Sequence, residues 1–326
     1  MLDRSVLHPL SPQGLALSNL IVFIFVIALI IFLIPTSVLI YTAIRFRYRE
    51  GENEEPPQIY GQTLLESAWT ITPFVILTAV FVVTIGALRA ASPPDDAVAQ
   101  GTRPDLSVVG HQWWWELHYT GGASAVNEIH LPVGKRMLVA LTSADVMHAL
   151  WVPQINGQMD AVPGQTNLLY LQSDRLGTYA GQCAQFCGTA HGLMLVRVIV
   201  QTGAEFDAWE KSQMRKATTP TSSRISSSVA MASIGSAARG GRDVLQLTCQ
   251  SCHQIDGTAA HGQIGPNLTH VGGRQTIAAG ALSNTPLHLE AWLRDPQAVK
   301  PGNHMPNLLL NDGQIRDLTA YLEGLK

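Results

Sequence analysis

The chain has 326 residues, a formal net charge of −3, 46% hydrophobic and 14% charged residues. So apolar a composition excludes an intrinsically disordered chain, and the slightly negative balance speaks against nucleic acid as a partner. The four cysteines all fall in two motifs, so none is left over for a structural disulfide.

Residues 1–90 read as a membrane anchor. Residues 15–44 contain no charged side chain and are dominated by Ile, Leu, Val and Phe, which is long enough for a hydrocarbon core needing ~20 residues. Residues 67–88 repeat the pattern. Pro35 and Pro73 are tolerable inside such helices, because neighbouring groups can satisfy the freed carbonyls. Arg45, Arg47 and Arg49 make a dense basic cluster between the spans, and the positive-inside rule puts that loop in the cytoplasm. Both termini and everything after Arg89 then lie outside, in the periplasm or its equivalent. A cleaved signal peptide fits the first span poorly, since the span exceeds a signal h-region and no small-residue cleavage site follows it. Glu66 sits at the mouth of the second span, where a carboxylate either marks the helix end or collects protons.

Residues 91–210 predict a small β-sandwich of the cupredoxin-like kind. Residues 136–141, 167–171 and 194–200 are rich in Val, Leu and Ile and are separated by Gly and Pro turns. Side chains alternate along a strand, so at least one of Trp113, Trp114 and Trp115 should face away from the core. This region also carries Cys183-x3-Cys187-x3-His191-x2-Met194, with a distant His148 preceded by Asp145. Thiolate, imidazole and thioether together select copper over hard cations. Two thiolates can bridge two copper ions, each with its own histidine. A structural zinc loop and a reducible Cys183–Cys187 disulfide are the bland alternatives. The region is acidic, with eleven Asp or Glu against five Lys or Arg, a balance that could steer a basic electron donor. Residues 211–236 are rich in Ser, Thr and Ala and read as a flexible linker.

Residues 237–326 carry Cys249-x2-Cys252-His253, the pattern of covalent c-type haem attachment. The thiols form thioethers and His253 becomes one axial ligand; a thioether in the sixth position raises the reduction potential. Met305, in Pro301-Gly-Asn-His-Met-Pro306, is the sole methionine after Cys252, and flanking prolines stiffen its loop. His304 is a competing ligand one residue away. A thioredoxin-like pair or half a zinc site are the other readings of the cysteines. Leu318, Tyr321, Leu322 and Leu325 form one apolar helical stripe. With Gly265-Pro-Asn-Leu268 and a closing helix over 314–325, this segment resembles all-α class I cytochromes c.

The whole chain resembles subunit II of the haem–copper cytochrome c oxidases, in the caa-type variant with a fused cytochrome c. The resemblance rests on Gly110-His-Gln-Trp-Trp-Trp115, Asp145-Val-Met-His148, Asp160-Ala-Val-Pro-Gly164 and Gly181-Gln-Cys-Ala-Gln-Phe-Cys-Gly188 followed by His191 and Met194. It implies a dinuclear copper centre with Cys183 and Cys187 bridging and His148 and His191 terminal. Met194 and the backbone carbonyl of Gln185 would be weak axial ligands. Many members carry Glu at the position of Gln185, whose carboxylate also binds magnesium; an amide is a poorer hard-cation ligand. The resemblance also puts Glu66 at a proton channel into subunit I and Trp113 where electrons enter. It implies one covalent haem c, partnership with subunit I and other oxidase subunits, and cytochrome c or another electron donor. The expected setting is a bacterial inner membrane, multi-pass, with both redox domains on the periplasmic side. Oxygen would be reduced on another subunit of a proton-pumping oxidase, with no catalytic residue on this chain. The copper subunit of a nitric oxide reductase, or a stand-alone membrane-tethered carrier, is the alternative.

Overall fold

The computed structural model describes residues 5–47, 58, 60–92, 101–217 and 228–326. Two long helices come first, α1 (Pro12–Arg45) and α2 (Thr63–Ala91), packed against each other. Both overrun the apolar stretches 15–44 and 67–88, because polar flanking residues continue the helical hydrogen bonding. Ser11 caps α1 by accepting from Gly14 N at 2.9 Å, with Pro12 in the first turn. Phe25, Ile34, Leu39, Phe74, Leu77 and Phe81 all stand exposed, which suits helices surrounded by lipid. The chain is therefore membrane-anchored.

At 34 residues, α1 is about 51 Å long, well beyond a ~30 Å hydrocarbon core. Its N-terminal end packs on the next domain: Leu10 N donates to Gln154 O at 2.8 Å, and Asp174 N donates to Leu10 O at 3.0 Å. Gln13 and Ser18 are buried there. The anchor thus joins the sandwich through the start of α1 as well as through the chain after α2.

The second domain is a sandwich of two five-stranded sheets. One is ordered β3 (Ser124–Val126), β2 (Trp114–Tyr119), β1 (Leu106–His111), β5 (Met137–Ser143), β8 (Asn167–Leu171). The other runs β4 (Glu128–Pro132), β10 (Leu195–Gln201), β9 (Gly177–Cys183), β6 (His148–Trp151), β7 (Met159–Ala161). β1 pairs parallel with β5 and β4 parallel with β10; the other ladders are antiparallel. Leu106, Val108, Trp115, Leu117, Ile129, Leu141 and Val198 fill the space between the sheets. Trp115 points into that core, whereas Trp114 faces the other way and packs with Val126 and Ala279, as strand alternation requires. Trp113 precedes the strand, in the turn that joins β1 to β2.

Helix α3 (Gly203–Gln213), closed by a Thr202–Glu205 capping box, leaves the sandwich. Part of the expected linker 211–236 is ordered. Ala217 N donates to Asp256 O at 2.8 Å, and α4 (Ser228–Gln246) is already helical from Ser228. Residues 218–227 lie outside the described residues. An Ala-rich stretch forms helix readily once its continuation packs, and here Ala237 and Val244 enter the core of the third domain.

That domain continues with the one-turn helix α5 (Cys249–Cys252), the small ladder β11 (Thr276–Ile277) and β12 (Leu282–Ser283), and helices α6 (Pro286–Arg294), α7 (Pro296–Val299) and α8 (Asp312–Gly324). Leu318, Tyr321, Leu322 and Leu325 are all buried, with Ile255, Leu289 and Ile315. Helices α4 and α8 cross at Gly240, where an added Cβ would lie 2.0 Å from Asp317 O. No side chain fits there without separating the helices. Gly240→Ala is expected to destabilise this domain by about 2 kcal/mol, read as a lowered denaturation midpoint of the haem absorbance with the sandwich unaffected.

Candidate metal centres

The first centre lies at one end of the sandwich. Cys183 ends β9; the loop then passes Gln185, Cys187 and a 3-10 turn (His191–Leu193) before Met194 leads into β10. Because Cys183 N donates to Met194 O at 2.9 Å, both ends of the loop are held by one antiparallel pair. His148 arrives from a different strand, at the start of β6. Sulfur lies 3.8 Å from sulfur, Cys183 Sγ 3.9 Å from His148 Nδ1, and Cys187 Sγ 3.5 Å from His191 Nδ1. Met194 Sδ is 3.9 Å from Cys187 Sγ, and Cys183 Sγ donates to Gln185 O at 3.2 Å. All six sequence-derived donors thus converge. The ligating atoms of His148, Cys183 and Cys187 lie within 4.8 Å of one another, and all three residues are buried.

A disulfide needs about 2.05 Å between sulfurs, so this pair is two separate thiols. The contact between the two thiols draws the Cys183 pKa down and, with burial, pushes that of Cys187 up. Asp145 Oδ1 accepts from His148 Nε2 at 2.8 Å, which leaves Nδ1 as the free lone pair on the sulfur side. Asp145 is itself held by Gln112 N, which donates to Oδ2 at 2.6 Å.

The second centre lies in the helical domain. Cys249 and Cys252 are free thiols one helical turn apart. His253 follows, and its Nδ1 donates to Pro266 O at 2.8 Å, leaving Nε2 available for iron. Burial pushes the His253 pKa down, so the imidazole is neutral and able to ligate. Gly265 makes the close packing possible, since a Cβ there would sit 2.6 Å from His253 Cε1. Met305 packs against the domain core. Its loop is tied by Gln297 Nε2, which donates to Asn303 O and Met305 O at 2.9 Å each. His304 turns the opposite way, and its ring lies 4.9 Å from that of Trp113.

Trp113 links the two centres. Its Nε1 donates to Cys187 O at 3.0 Å, and its own carbonyl accepts from Lys300 Nζ at 2.7 Å. The position expected at a surface is only 6% exposed, because the C-terminal domain covers it. Gln112, within the Gly110–Trp115 run, donates to Cys187 O at 2.7 Å; Lys300 carries no motif and could not be singled out from the sequence. Burial pushes the Lys300 pKa down to about 7, with Cys187 pulling the other way. Glu66 stands in the first turn of α2, where Oε1 accepts from Gln62 N at 3.3 Å. Phe186 is exposed with its ring against His191, and Val146 and Met147, next to His148, are exposed as well.

The comparisons agree with this layout. The family model for the transmembrane domain of cytochrome c oxidase subunit II matches residues 8–86, and that for its periplasmic domain matches 122–202. The cytochrome c family model matches 237–326. A cytochrome c oxidase subunit 2 from Alkalihalophilus pseudofirmus is 35% identical over 99% of this chain and 91% of its own length. Its namesake from Bacillus subtilis is 31% identical over 88% and 82%. A quinol oxidase subunit 2 from Bacillus cereus is 32% identical but aligns with only 65% of this chain and 74% of itself. The chain belongs to the cytochrome c oxidase subunit II family, in the form that carries a cytochrome c domain at its C-terminus, and the two domains imply copper and haem binding.

Proposed function

We propose that this chain receives electrons for a proton-pumping cytochrome c oxidase and passes them, through its helical domain and then its sandwich, to a subunit I that reduces oxygen. The observation that carries the proposal is the position of Trp113, bonded to the Cys187 carbonyl on one side and ring-packed on His304, next to Met305, on the other. Haem iron and a copper pair, when bound, each change by one electron. Cys249 and Cys252 would anchor the haem, and His253 and Met305 would ligate its iron.

Cys183, Cys187, His148 and His191 would hold the copper ions, the two cysteines shared between them, and Met194 and the Gln185 carbonyl would add weaker contacts. Zinc would be satisfied by four donors. The buried thioether favours a soft ion, and the carbonyl beside Cys183 brings the donors to six, more than a single zinc takes. Such a site suits electron transfer because the loop ends are locked in a β-ladder and little moves when the charge changes. The apolar rim of Val146, Met147 and Phe186 offers an exit face to an oxidase partner. Arg45, Arg47 and Arg49 on the cytoplasmic side put both redox domains in the periplasm, where a soluble cytochrome c can donate. Glu66, at the membrane boundary, is placed to feed protons to subunit I.

Removing residues 229–326 tests the series order. The truncated chain should still assemble with copper, yet oxygen uptake should then require added soluble cytochrome c, since tethering supplies a local concentration of roughly millimolar. Unchanged donor dependence would refute the order. The full chain is expected to bind two copper ions, and Asp145→Ala to weaken that binding by about 10- to 100-fold, measured by chelator competition. Met305→Ala should lower the haem potential and open the sixth position, seen as loss of the low-spin spectrum; an unchanged spectrum would move the ligand elsewhere.

A further inference from the structure

Glu128 and Lys300 are charged side chains that are almost wholly buried, each 4% exposed, and Arg274 of the helical domain lies near Glu128. Charged groups are rarely buried without partners. Both Glu128 and Lys300 lie at the junction of the two redox domains, and each bonds backbone of the opposite domain. Glu128, on β4 of the sandwich, accepts from Gln275 N at 3.0 Å, Thr276 N at 2.8 Å and Thr276 Oγ1 at 2.9 Å, all in the helical domain. Lys300, after α7 of the helical domain, reaches Trp113 O at 2.7 Å.

Further contacts fill the space between these points. Leu195 N donates to Ala279 O at 3.0 Å, Arg197 Nη1 donates to Gln275 Oε1 at 3.2 Å, and Gly302 lies directly on Thr189 of the Cys187 loop. A buried charge contributes little net cohesion, because removing it from water costs about what its bonds return. Its effect is on register. In any shifted pose one or both charges would be buried without acceptor or donor, and such poses are heavily penalised. The remaining apolar contacts, Trp114 on Ala279 for instance, carry no comparable directionality.

We propose that Glu128 and Lys300 form a reciprocal lock that seats the helical domain in one pose over Trp113 and closes that face of the sandwich to any separate redox protein. An outside donor must then deliver to the helical domain. This rests on the electron route proposed above and adds what fixes its geometry and which surface is denied to others. Lys300 and Glu128 act as positioning residues; neither touches a cofactor.

The test uses the full chain in detergent, with haem and copper content measured on every preparation. Hydrogen exchange is followed in peptides covering Gln275 to Ala279 and Leu195, for the wild type, Glu128→Ala, Glu128→Gln, Lys300→Met and the Glu128→Ala/Lys300→Met double variant. The lock requires exchange at the junction to rise by about tenfold or more in the double variant, with α8 and β5 protected as before. Glu128→Gln, which keeps one acceptor oxygen, should fall between. After rapid reduction of the haem, the fast transfer to copper should be lost in the double variant, and reduced soluble cytochrome c should gain a direct route to the copper. Equal exchange in wild type and double variant, or an unaltered fast phase, would overturn the lock. A preparation without paired copper or haem would instead refute the electron route, and its exchange data would still judge the lock.

Discussion

Two thiol sulfurs held 3.8 Å apart, close enough to share a proton or a pair of cations yet too far for a bond, set the terms for the rest of the sandwich. A loop of this length would be mobile on its own. Here it leaves β9 at Cys183 and rejoins β10 after Met194, and the register that pairs Leu195 with Gln182 pins both ends. The third essential donor, His148, lies 35 residues earlier in the chain, so only a closed sandwich can supply it. Asp145 then orients the ring, and Trp115 packs at 5.8 Å beside it. The centre depends on the β-framework, which in turn depends on the apolar alternation of strands β1, β5 and β10.

The same logic of borrowed partners governs the junction with the helical domain. The sandwich is acidic, whereas residues 237–326 carry seven acidic and seven basic side chains, so gross charge attraction is weak. What joins them is local: indole on imidazole, one carboxylate on two amides, one ammonium on a carbonyl. These contacts put the Met305 loop against the loop of Cys187 without a metal ligand being shared. Lys300 also sets its amino group near the Cys187 loop, where Cys187 partly offsets the burial that lowers the Lys300 pKa.

The anchor obeys a simpler constraint. In lipid every backbone group must be satisfied within the segment, so α1 and α2 are unbroken helices despite Pro35 and Pro73. Their apolar side chains stand exposed because nothing among the described residues covers them. The start of α1, by contrast, is polar and finds its partners on the sandwich, which limits how freely the redox domains can tilt above the membrane.

Much was legible in the residues alone. Charge-free runs announce membrane helices because lipid excludes charge, and Cys-x2-Cys-His announces haem because the attachment chemistry is local. Cys183, Cys187, His191 and Met194 lie within one loop, so their spacing already carries their association. The apolar stripe of the last helix follows from helical period. Other features had no local signal. Helix at Ser228 arises because its continuation packs on α8, against a composition that reads as linker. Trp113 reads as a surface residue until the second domain covers it. Met305 already outranks His304 as a ligand in sequence, and the fold turns His304 toward Trp113 and Met305 toward its own core. Lys300 and Glu128 look like ordinary surface charges; each becomes a buried partner when a segment well over a hundred residues away supplies the backbone groups that replace water. Local chemistry is written in spacing, whereas burial and pairing between domains exist only after the chain has closed on itself.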